Sequence, residues 1–153
     1  MLKVNKKIEY ALMALKFMAA REDGTLTSAR EICDKFNTPF DTTAKVMQTM
    51  NSNDILKSVK GIKGGYSLNK KLSEITYMDL VRMIEGVDGG SICQGHKGTC
   101  ELFGTCNIST PMKKLYEKIN EYLEGLSLEE LLLENDFPTP AVSFEKSTDV
   151  GQQ

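Results

Sequence analysis

The middle of this 153-residue chain contains a β-hairpin pattern, Ile55-Leu56-Lys57-Ser58-Val59-Lys60-Gly61-Ile62-Lys63-Gly64-Gly65-Tyr66-Ser67-Leu68. The runs 55–60 and 66–68 are typical of strands, and the glycines between them permit a sharp reversal. From Ile55 to Leu72 the chain has five lysines and no acidic residue. The sequence therefore predicts a hairpin with a basic tip.

Two short helices are predicted directly before this hairpin. Ser28 followed by Glu31 is a capping-box pattern that starts the first of them. Thr38 is predicted to be the N-cap of the second, with Pro39 at its first position, and this helix should run to about Asn51. The two helices and the tight turn at Asn37 form a helix-turn-helix candidate. An amphipathic helix is predicted before them, over roughly residues 6–21.

A hairpin placed directly after a helix-turn-helix is the layout of a winged helix. The second helix can then enter the major groove of double-stranded DNA, while the wing lysines reach phosphates or the minor groove. Phe40, Ala44, Met47 and Met50 are expected to face the core. The predicted DNA-binding residues are the outward ones on this helix and the wing lysines: Thr42, Lys45, Gln48, Thr49, Lys57, Lys60 and Lys63. Gln48 can pair with an adenine edge, and the lysines suit phosphates.

Composition and charge agree with a DNA-binding front half. Hydrophobic residues make up 41% and charged residues 26%, which excludes a wholly disordered chain and is ordinary for one globular domain with an appendage. Residues 1–72 hold 13 Lys and Arg against 7 Asp and Glu, whereas residues 73–153 hold 6 against 14. A basic front suggests a polyanionic partner, although a chance drift of surface charge is the simpler alternative.

The location of the protein is predicted from two signals, a membrane-spanning stretch and a secretory leader. The longest apolar-rich stretch, 10–20, is interrupted by Lys16 and is too short to span a bilayer. No secretory leader pattern opens the chain, so a cytoplasmic location and no membrane partner are expected. In that reducing compartment cysteines serve as metal ligands, redox groups or core residues rather than as disulfides.

The second half is predicted to be helical as well. Thr76 and Asp79 cap a fourth helix, and Thr110-Pro111 starts a fifth. Apolar residues of the fifth helix repeat at heptad spacing, which favours a homodimer interface formed by Met112, Leu115, Ile119, Tyr122 and Leu126. A helix buried in its own chain shares that rhythm and is the alternative. A short helix is predicted over 127–133, and residues 135–153 form a frayed tail.

Three cysteines, Cys93, Cys100 and Cys106, lie in one glycine-rich stretch with the spacing C-x6-C-x5-C. Thiolates are soft ligands that suit iron–sulfur clusters or zinc. Zinc sites usually contain tighter pairs such as C-x2-C, so the longer gaps favour a larger object. The spacing indicates an iron–sulfur cluster, and it leaves zinc and unliganded or redox-active thiols open as alternatives.

Several motifs resemble the Rrf2 family of winged-helix transcription regulators, which includes the iron–sulfur regulators IscR and NsrR and the iron regulator RirA. The strongest is the wing itself, 57–68, with the pattern KSVKGxxGGYxL. Others occur in the expected order at 10–15, 45–48, 83–86 and 126–131, so the resemblance covers residues 1 to about 133. It implies a homodimer crossed through the fifth helix, with an iron–sulfur cluster, 4Fe–4S or 2Fe–2S, near the interface.

The fourth cluster ligand is open. A histidine follows the third cysteine by three residues in IscR-type members, but that position is Ser109 here. Some members use an acidic residue of the first helix, which reaches the cluster of the other subunit, and Glu9 matches that position. His96 and Cys33 are secondary candidates, Cys33 being better explained as a core thiol. Thr42-Thr43 and Asp54 also depart from the family pattern, so no target sequence carries over.

The sequence thus predicts a mainly α fold with a small β-hairpin wing: a winged helix-turn-helix plus a long dimerisation helix. Residues 1–75 form the DNA-binding domain, 76–108 a linker helix and cluster-binding loop, and 109–134 the dimerisation helix and a short following helix. The expected function is a transcriptional regulator, a repressor, whose operator binding responds to nitric oxide, iron or cluster status, or redox. A cluster-free or zinc-binding regulator that senses a thiol metabolite or partner protein is the alternative, followed by an electron carrier. No enzymatic site is predicted.

Overall fold

The computed structural model describes residues 4–86 and 105–133. Within these ranges the chain forms six α-helices and two strands, mainly helical as predicted. In chain order they are α1 Lys6–Ala19, α2 Ala29–Phe36, α3 Phe40–Ser52, β1 Leu56–Val59, β2 Gly65–Leu68, α4 Tyr77–Glu85, α5 Ser109–Gly125 and α6 Leu128–Leu133. No helix in the described ranges is long and apolar enough to cross a membrane.

The helix-turn-helix consists of α2 and α3, and its ends are fixed by local hydrogen bonds. The hydroxyl of Ser28 accepts from the backbone N–H of Glu31 at 3.1 Å and so caps α2. Asn37 ends α2 in the left-handed region, with φ of 53°. The prediction for the start of α3 is wrong by one residue, because Pro39 is the N-cap. The hydroxyl of Thr38 is instead hydrogen-bonded to that of Thr43, at 2.9 Å.

The hairpin follows α3 as predicted, and its two strands pair antiparallel in the register Leu56↔Leu68 to Val59↔Gly65. A further backbone pairing, between Thr27 and Tyr66, fastens β2 to the segment before α2. The two N–H···O bonds of this pairing measure 2.8 and 2.9 Å. The wing is therefore attached to the helix-turn-helix by main-chain hydrogen bonds as well as by chain connectivity.

The core lies around α1, which contacts α3, α4, β2 and α6. Buried apolar residues from most elements form one cluster; its members from the helix-turn-helix and wing region are Ile32, Val46, Met47, Met50, Ile55 and Leu56. Phe40 and Ala44 are exceptions to the predicted α3 pattern: the side chain of Phe40 is 46% exposed, Ala44 is only partly buried, and neither belongs to the core. Thr43, which has a methyl group and a satisfied hydroxyl, is fully buried on that side of the helix instead.

The C-terminal part returns to the core through α6. Thr76 and Asp79 form the predicted capping box at the start of α4. Two backbone bonds of 2.8 Å, from Tyr77 N–H to the carbonyl of Leu126 and from Leu128 N–H to the carbonyl of Ile75, join the start of α4 to the turn before α6. The end of α5 is thereby fixed to the core.

Helix α5 differs from the other long helices because none of its side chains is buried. It begins at Ser109, after an N-cap residue, Ile108, that makes no side-chain hydrogen bond, so Thr110 is not the cap that the sequence predicts. An ion pair between Arg82 of α4 and Glu124 attaches its C-terminal end to the core. This ion pair and the backbone bonds around Leu126 therefore tie the helix to the rest of the chain, without any buried side chain of α5.

Candidate nucleic-acid interface and cysteine site

The outer side of α3 carries all four residues predicted to bind DNA on this helix. Because Thr43, Val46, Met47 and Met50 are buried against the core, the opposite side of the helix faces outward. The side chains of Lys45 and Gln48 are on this outer side, with Thr42 and Thr49 beside them, and none of the four is buried. The arrangement follows from the 3.6-residue period of the helix.

These four residues line an open groove of about 730 Å³, together with Asp41, Ala44 and Val46 of the same helix, Lys7 from the start of α1 and Ile84 from the end of α4. The hydroxyl of Thr49 donates to the carbonyl of Lys45 at 3.0 Å, which leaves its lone pairs to accept from outside. Lys7 was not among the predicted residues, although its place in the basic front half of the sequence was a signal for it. The groove offers two lysine cations, the carboxylate of Asp41, and amide, hydroxyl and apolar groups on one surface.

The wing displays its three predicted lysines, Lys57, Lys60 and Lys63, which are all exposed. The tip is shaped by glycines: Gly61 has φ of 126°, and a Cβ on Gly64 would lie 2.4 Å from the carbonyl oxygen of Val59. No acidic side chain interrupts the segment that holds the lysines. The hairpin is thus a compact, positively charged projection suited to phosphates.

Of the predicted cluster ligands, Cys106 lies within the described residues, whereas Cys93, Cys100 and the secondary candidate His96 lie outside them. The thiol of Cys106 is partly exposed and forms no disulfide. Its carbonyl accepts from the hydroxyl of Ser109 at 3.2 Å, just before α5 begins. A partly exposed thiol at this place fits the donor chemistry of a cluster or a metal ion better than it fits core packing.

The two other ligand candidates lie elsewhere. Cys33, on α2, is partly exposed like Cys106 and is not part of the buried core cluster, although the sequence predicts a core thiol there. The carboxylate of Glu9 is partly exposed near the start of α1 and pairs with Lys6, with a distance of 2.5 Å from Nζ to Oε2. This hydrogen bond raises the pKa of Lys6 above its ordinary value. In the described part of the chain, no three metal-ligating side chains come together to form a site.

The predicted dimer residues divide into two groups. Met112, Leu115, Ile119 and Tyr122 form an exposed apolar stripe on α5, and Ile108, just before the helix, extends it by one turn. The sequence predicts that Leu126 belongs to this interface, but the structure buries it within its own chain. Leu126 follows the end of α5 and is only 6% exposed, because its backbone bond to Tyr77 turns it into the core of its own chain.

The fold and the groove define a class of protein, a winged helix-turn-helix. Its second helix, α3, and its basic wing are both exposed, and α3 is called the reading helix below. Residues 4–134 match the family model Rrf2, described as iron-dependent transcriptional regulators, and the chain therefore belongs to the Rrf2 family. It is a helix-turn-helix transcriptional regulator, as are its relatives, which are regulators rather than enzymes.

Individual relatives agree with this placement. A protein of Aquifex aeolicus (strain VF5), described as an HTH-type transcriptional regulator, is 28% identical over 127 residues, which cover 82% of this chain and 88% of the relative. CymR (YrzC), the global cysteine regulator of B. subtilis, has a TM-score of 0.67 at 22% identity, with 86% of this chain and 97% of CymR covered. T. potens IscR has a TM-score of 0.61 at 20% identity, with 86% of each chain covered. These two structures support the fold.

Proposed function

We propose that this protein is a homodimeric, operator-binding repressor whose affinity for DNA depends on an iron–sulfur cluster held by Cys93, Cys100 and Cys106. The observation that carries the proposal is the place of the cysteine segment in the fold. Residues 87–104 connect the end of α4 to Cys106, and Ile84 near the end of α4 lines the groove on α3. The cysteine segment therefore follows Ile84 closely in sequence, and Ile84 lies beside α3, the helix proposed to bind DNA.

The DNA-reading part of the proposal rests on the groove and the wing. Gln48 offers the amide pair that recognises an adenine edge in the major groove, and Thr42 and Thr49 offer hydroxyls for bases or phosphates. Lys45 and the wing lysines Lys57, Lys60 and Lys63 bind phosphates, which makes binding strongly dependent on salt. Two such units joined through α5 would read two half-sites on one face of the duplex.

The cysteine part rests on donor chemistry. Cys106 supplies a partly exposed thiol, and the other two cysteines fall within 13 residues before it. When bound, a cluster with three thiolate ligands supplies an iron atom that reacts with nitric oxide or oxygen, or is lost when iron is scarce. Glu9 of the partner subunit is the proposed fourth ligand; its ion pair with Lys6 uses Oε2, and Oε1 would be the donor to the cluster.

The switch follows from the connection of the segment to two elements. At one end Cys106 precedes α5, and at the other end α4 packs against α1 and α3. A cluster held by the three thiolates would constrain the two ends of the segment. Its loss would remove that constraint and would shift the balance between two arrangements of the DNA-binding parts of the dimer.

The test starts with anaerobic purification, an absorbance spectrum, and iron and sulfide counts. A DNA duplex selected by the protein from a random library then serves as the probe in fluorescence anisotropy, with and without the cluster and during a nitric oxide titration. We expect cluster loss to change the dissociation constant at least tenfold. The variant Cys106→Ser should lose the pigment, whereas the matched control Cys33→Ser should keep it.

The outcomes separate the proposal from its alternatives. Equal affinity with and without the cluster would contradict the switch. A colourless anaerobic protein with zinc, or with free thiols, would favour the regulator that senses a thiol metabolite or a partner protein. Reversible reduction of the cluster without any effect on DNA binding would favour an electron carrier.

A further inference from the structure

Phe40 presents an exposed aromatic ring at the start of α3, the helix that lines the groove. It is the first residue of α3, and its side chain is 46% exposed, although the helical period predicts it to face the core. The ring therefore lies outside the core, at the N-terminal end of the reading helix.

The ring is accompanied by a cation from the preceding helix. The guanidinium carbon of Arg30, on α2, lies 5.2 Å from the centroid of the Phe40 ring. Stacking of a guanidinium on an aromatic face orients its N–H groups while it leaves them free for an anion. Within the part of the chain that the structure describes, the charge of Arg30 is not matched by an ion pair. An apolar surface and an available cation are thus adjacent.

This pair, which lies outside the lining of the groove, matches a feature of the DNA major groove that the methyl groups of Thr42, Ala44 and Thr49 can also contact. Thymine carries the only methyl group exposed there, and phenylalanine is among the side chains that contact it. Residues at the N-terminal end of a reading helix approach the base edges, and arginine binds the flanking phosphates. An amide or hydroxyl that hydrogen-bonds a base edge, as Gln48 can, does not distinguish thymine from uracil, since the two bases present the same donors and acceptors.

We infer that Phe40 recognises the C5-methyl group of a thymine in the operator, and that Arg30, stacked on its ring, binds a phosphate beside that thymine. The inference rests on the proposed function, because it needs DNA to enter the groove on α3. It adds a determinant of sequence specificity that is apolar. The loss of one buried methyl group corresponds to about a fourfold weaker complex for each half-site.

The experiment uses the full-length protein and the duplex that the wild type selects from a random library. Each thymine is replaced in turn by deoxyuridine, which removes only the methyl group, and the dissociation constant is measured by fluorescence anisotropy at fixed salt. We expect one thymine in each half-site to cause about a fourfold loss of affinity when replaced. The variant Phe40→Ala should bind thymine and deoxyuridine duplexes equally, and Phe40→Leu should keep part of the difference.

Arg30→Gln is the second variant. It should keep the thymine preference, because the ring remains. Its affinity should fall less steeply with salt than that of the wild type, by about one unit of log–log slope for each phosphate that the protein no longer binds. Lys57→Ala, a variant of the wing, should weaken binding and keep the thymine preference, which would assign the preference to Phe40.

The outcomes distinguish this inference from the proposed function. If the wild type binds its duplex but no deoxyuridine replacement weakens the complex, or if Phe40→Ala retains the preference, the inference is wrong while operator binding stands. If the wild type selects no duplex at all, the operator-binding function fails and this inference fails with it.

Discussion

Asp54 shows how one residue departs from the ordinary conformation to connect two elements. It has φ of 60° between the end of α3 and β1, and its carbonyl accepts from the side-chain amide of Asn69 at 2.9 Å. Aspartate tolerates the left-handed region better than most residues, but glycine adopts it without a steric cost. The turn is therefore accommodated at this position with some residual strain.

We predict that Asp54→Gly increases the free energy of unfolding by about 0.5 kcal/mol, because it relieves this strain at a position where the side chain is exposed. For a chain of this size the midpoint of thermal unfolding should rise by about 1–2 °C. Asp54→Ala is the control and should lower it, since alanine has no side chain that supports a positive φ. A decrease with glycine would show that the carboxylate itself stabilises the turn.

Gly65 illustrates the opposite case, in which space rather than φ requires glycine. A Cβ at this position would lie 3.0 Å from the carbonyl oxygen of Thr27, across the backbone pairing that attaches the wing. We predict that Gly65→Ala destabilises the protein by about 1–3 kcal/mol. Chemical denaturation should detect the loss. Gly125→Ala, where a Cβ meets nothing within 4 Å, should be neutral or slightly stabilising, and an equal loss in both variants would contradict the steric argument.

At the scale of elements, the wing depends on a polar connection to α1 and α2. Nη1 of Arg21 donates to the hydroxyl of Thr27 at 3.0 Å and to the carboxylate of Glu31 at 2.8 Å. Thr27 is fully buried and is the residue that pairs with Tyr66 of the wing. Arg21 thereby joins the C-terminal end of α1, the start of α2 and the hairpin.

We predict that Arg21→Met destabilises the protein by about 1–3 kcal/mol, because it leaves the buried hydroxyl of Thr27 without its partner. Methionine preserves much of the apolar stem, which separates the polar loss from a packing loss. Urea denaturation gives the free energy. The double variant Arg21→Met with Thr27→Val should recover part of the loss, and an unchanged loss would assign the effect to Glu31 instead.

The apolar stripe on α5 is the second feature at this scale. Its members are exposed in the single chain, and their heptad spacing is that of helices that pack against a partner helix. We predict that Ile119→Lys weakens self-association at least 100-fold, on the order of the 3 kcal/mol that an unpaired charge costs in an apolar interface. Sedimentation equilibrium measures this change.

Glu121→Gln provides the matched control for that variant. It changes the net charge by the same amount, but it lies two residues further along α5, on roughly the opposite side. It should leave self-association unchanged. A wild type that is monomeric at micromolar concentration would contradict a dimer formed through this stripe.

The elements were predictable because their signals are local. The glycines and alternating residues of 55–68 predicted the hairpin, and Thr76 with Asp79 predicted the start of α4. Phe40 and Leu126 were not predictable, because their burial depends on which distant groups occupy the neighbouring space. The Phe40 ring lies against the guanidinium of Arg30 on α2, and the backbone bond to Tyr77 draws Leu126 inward. Neither the surroundings of Phe40 nor those of Leu126 can be predicted from helical periodicity alone.

For the candidate site, the sequence identified the side of α3 that lines the groove and the exposed lysines of the wing. It did not indicate Lys7 or Ile84, since these come from helices that meet α3 only in the folded chain. The cysteine spacing predicted a cluster, and Cys93 and Cys100 lie outside the described residues, so that ligand set stays a prediction.

At the scale of the whole molecule, stability should depend on pH through Tyr77, which is partly buried at the junction of α4 and the turn before α6. Burial raises the pKa of Tyr77, and the carboxylate of Glu85 raises it further. The unfolded chain loses this proton more easily, so the stabilisation is complete below about pH 10 and is lost as the pH rises through the higher pKa of the folded state.

We predict that the free energy of unfolding falls more steeply above about pH 10 in the wild type than in Tyr77→Phe, which has no proton to lose. Urea denaturation at several pH values on either side of that point measures the difference. Parallel curves for wild type and Tyr77→Phe would mean that the phenol is equally acidic in the folded and unfolded chains.

Because no side chain of α5 is buried in its own chain, we expect the stability of this helix to depend on the concentration of the protein in the cell. An isolated helix of this length has little stability in water, and the ion pair with α4 lies at its C-terminal end, so the proposed homodimer would supply much of its remaining stability. Its formation is then a second-order process that mass action governs. Dilution would then unfold α5 and leave the winged helix-turn-helix folded. The concentration of the protein in the cell would set the fraction of molecules able to bind two half-sites on DNA.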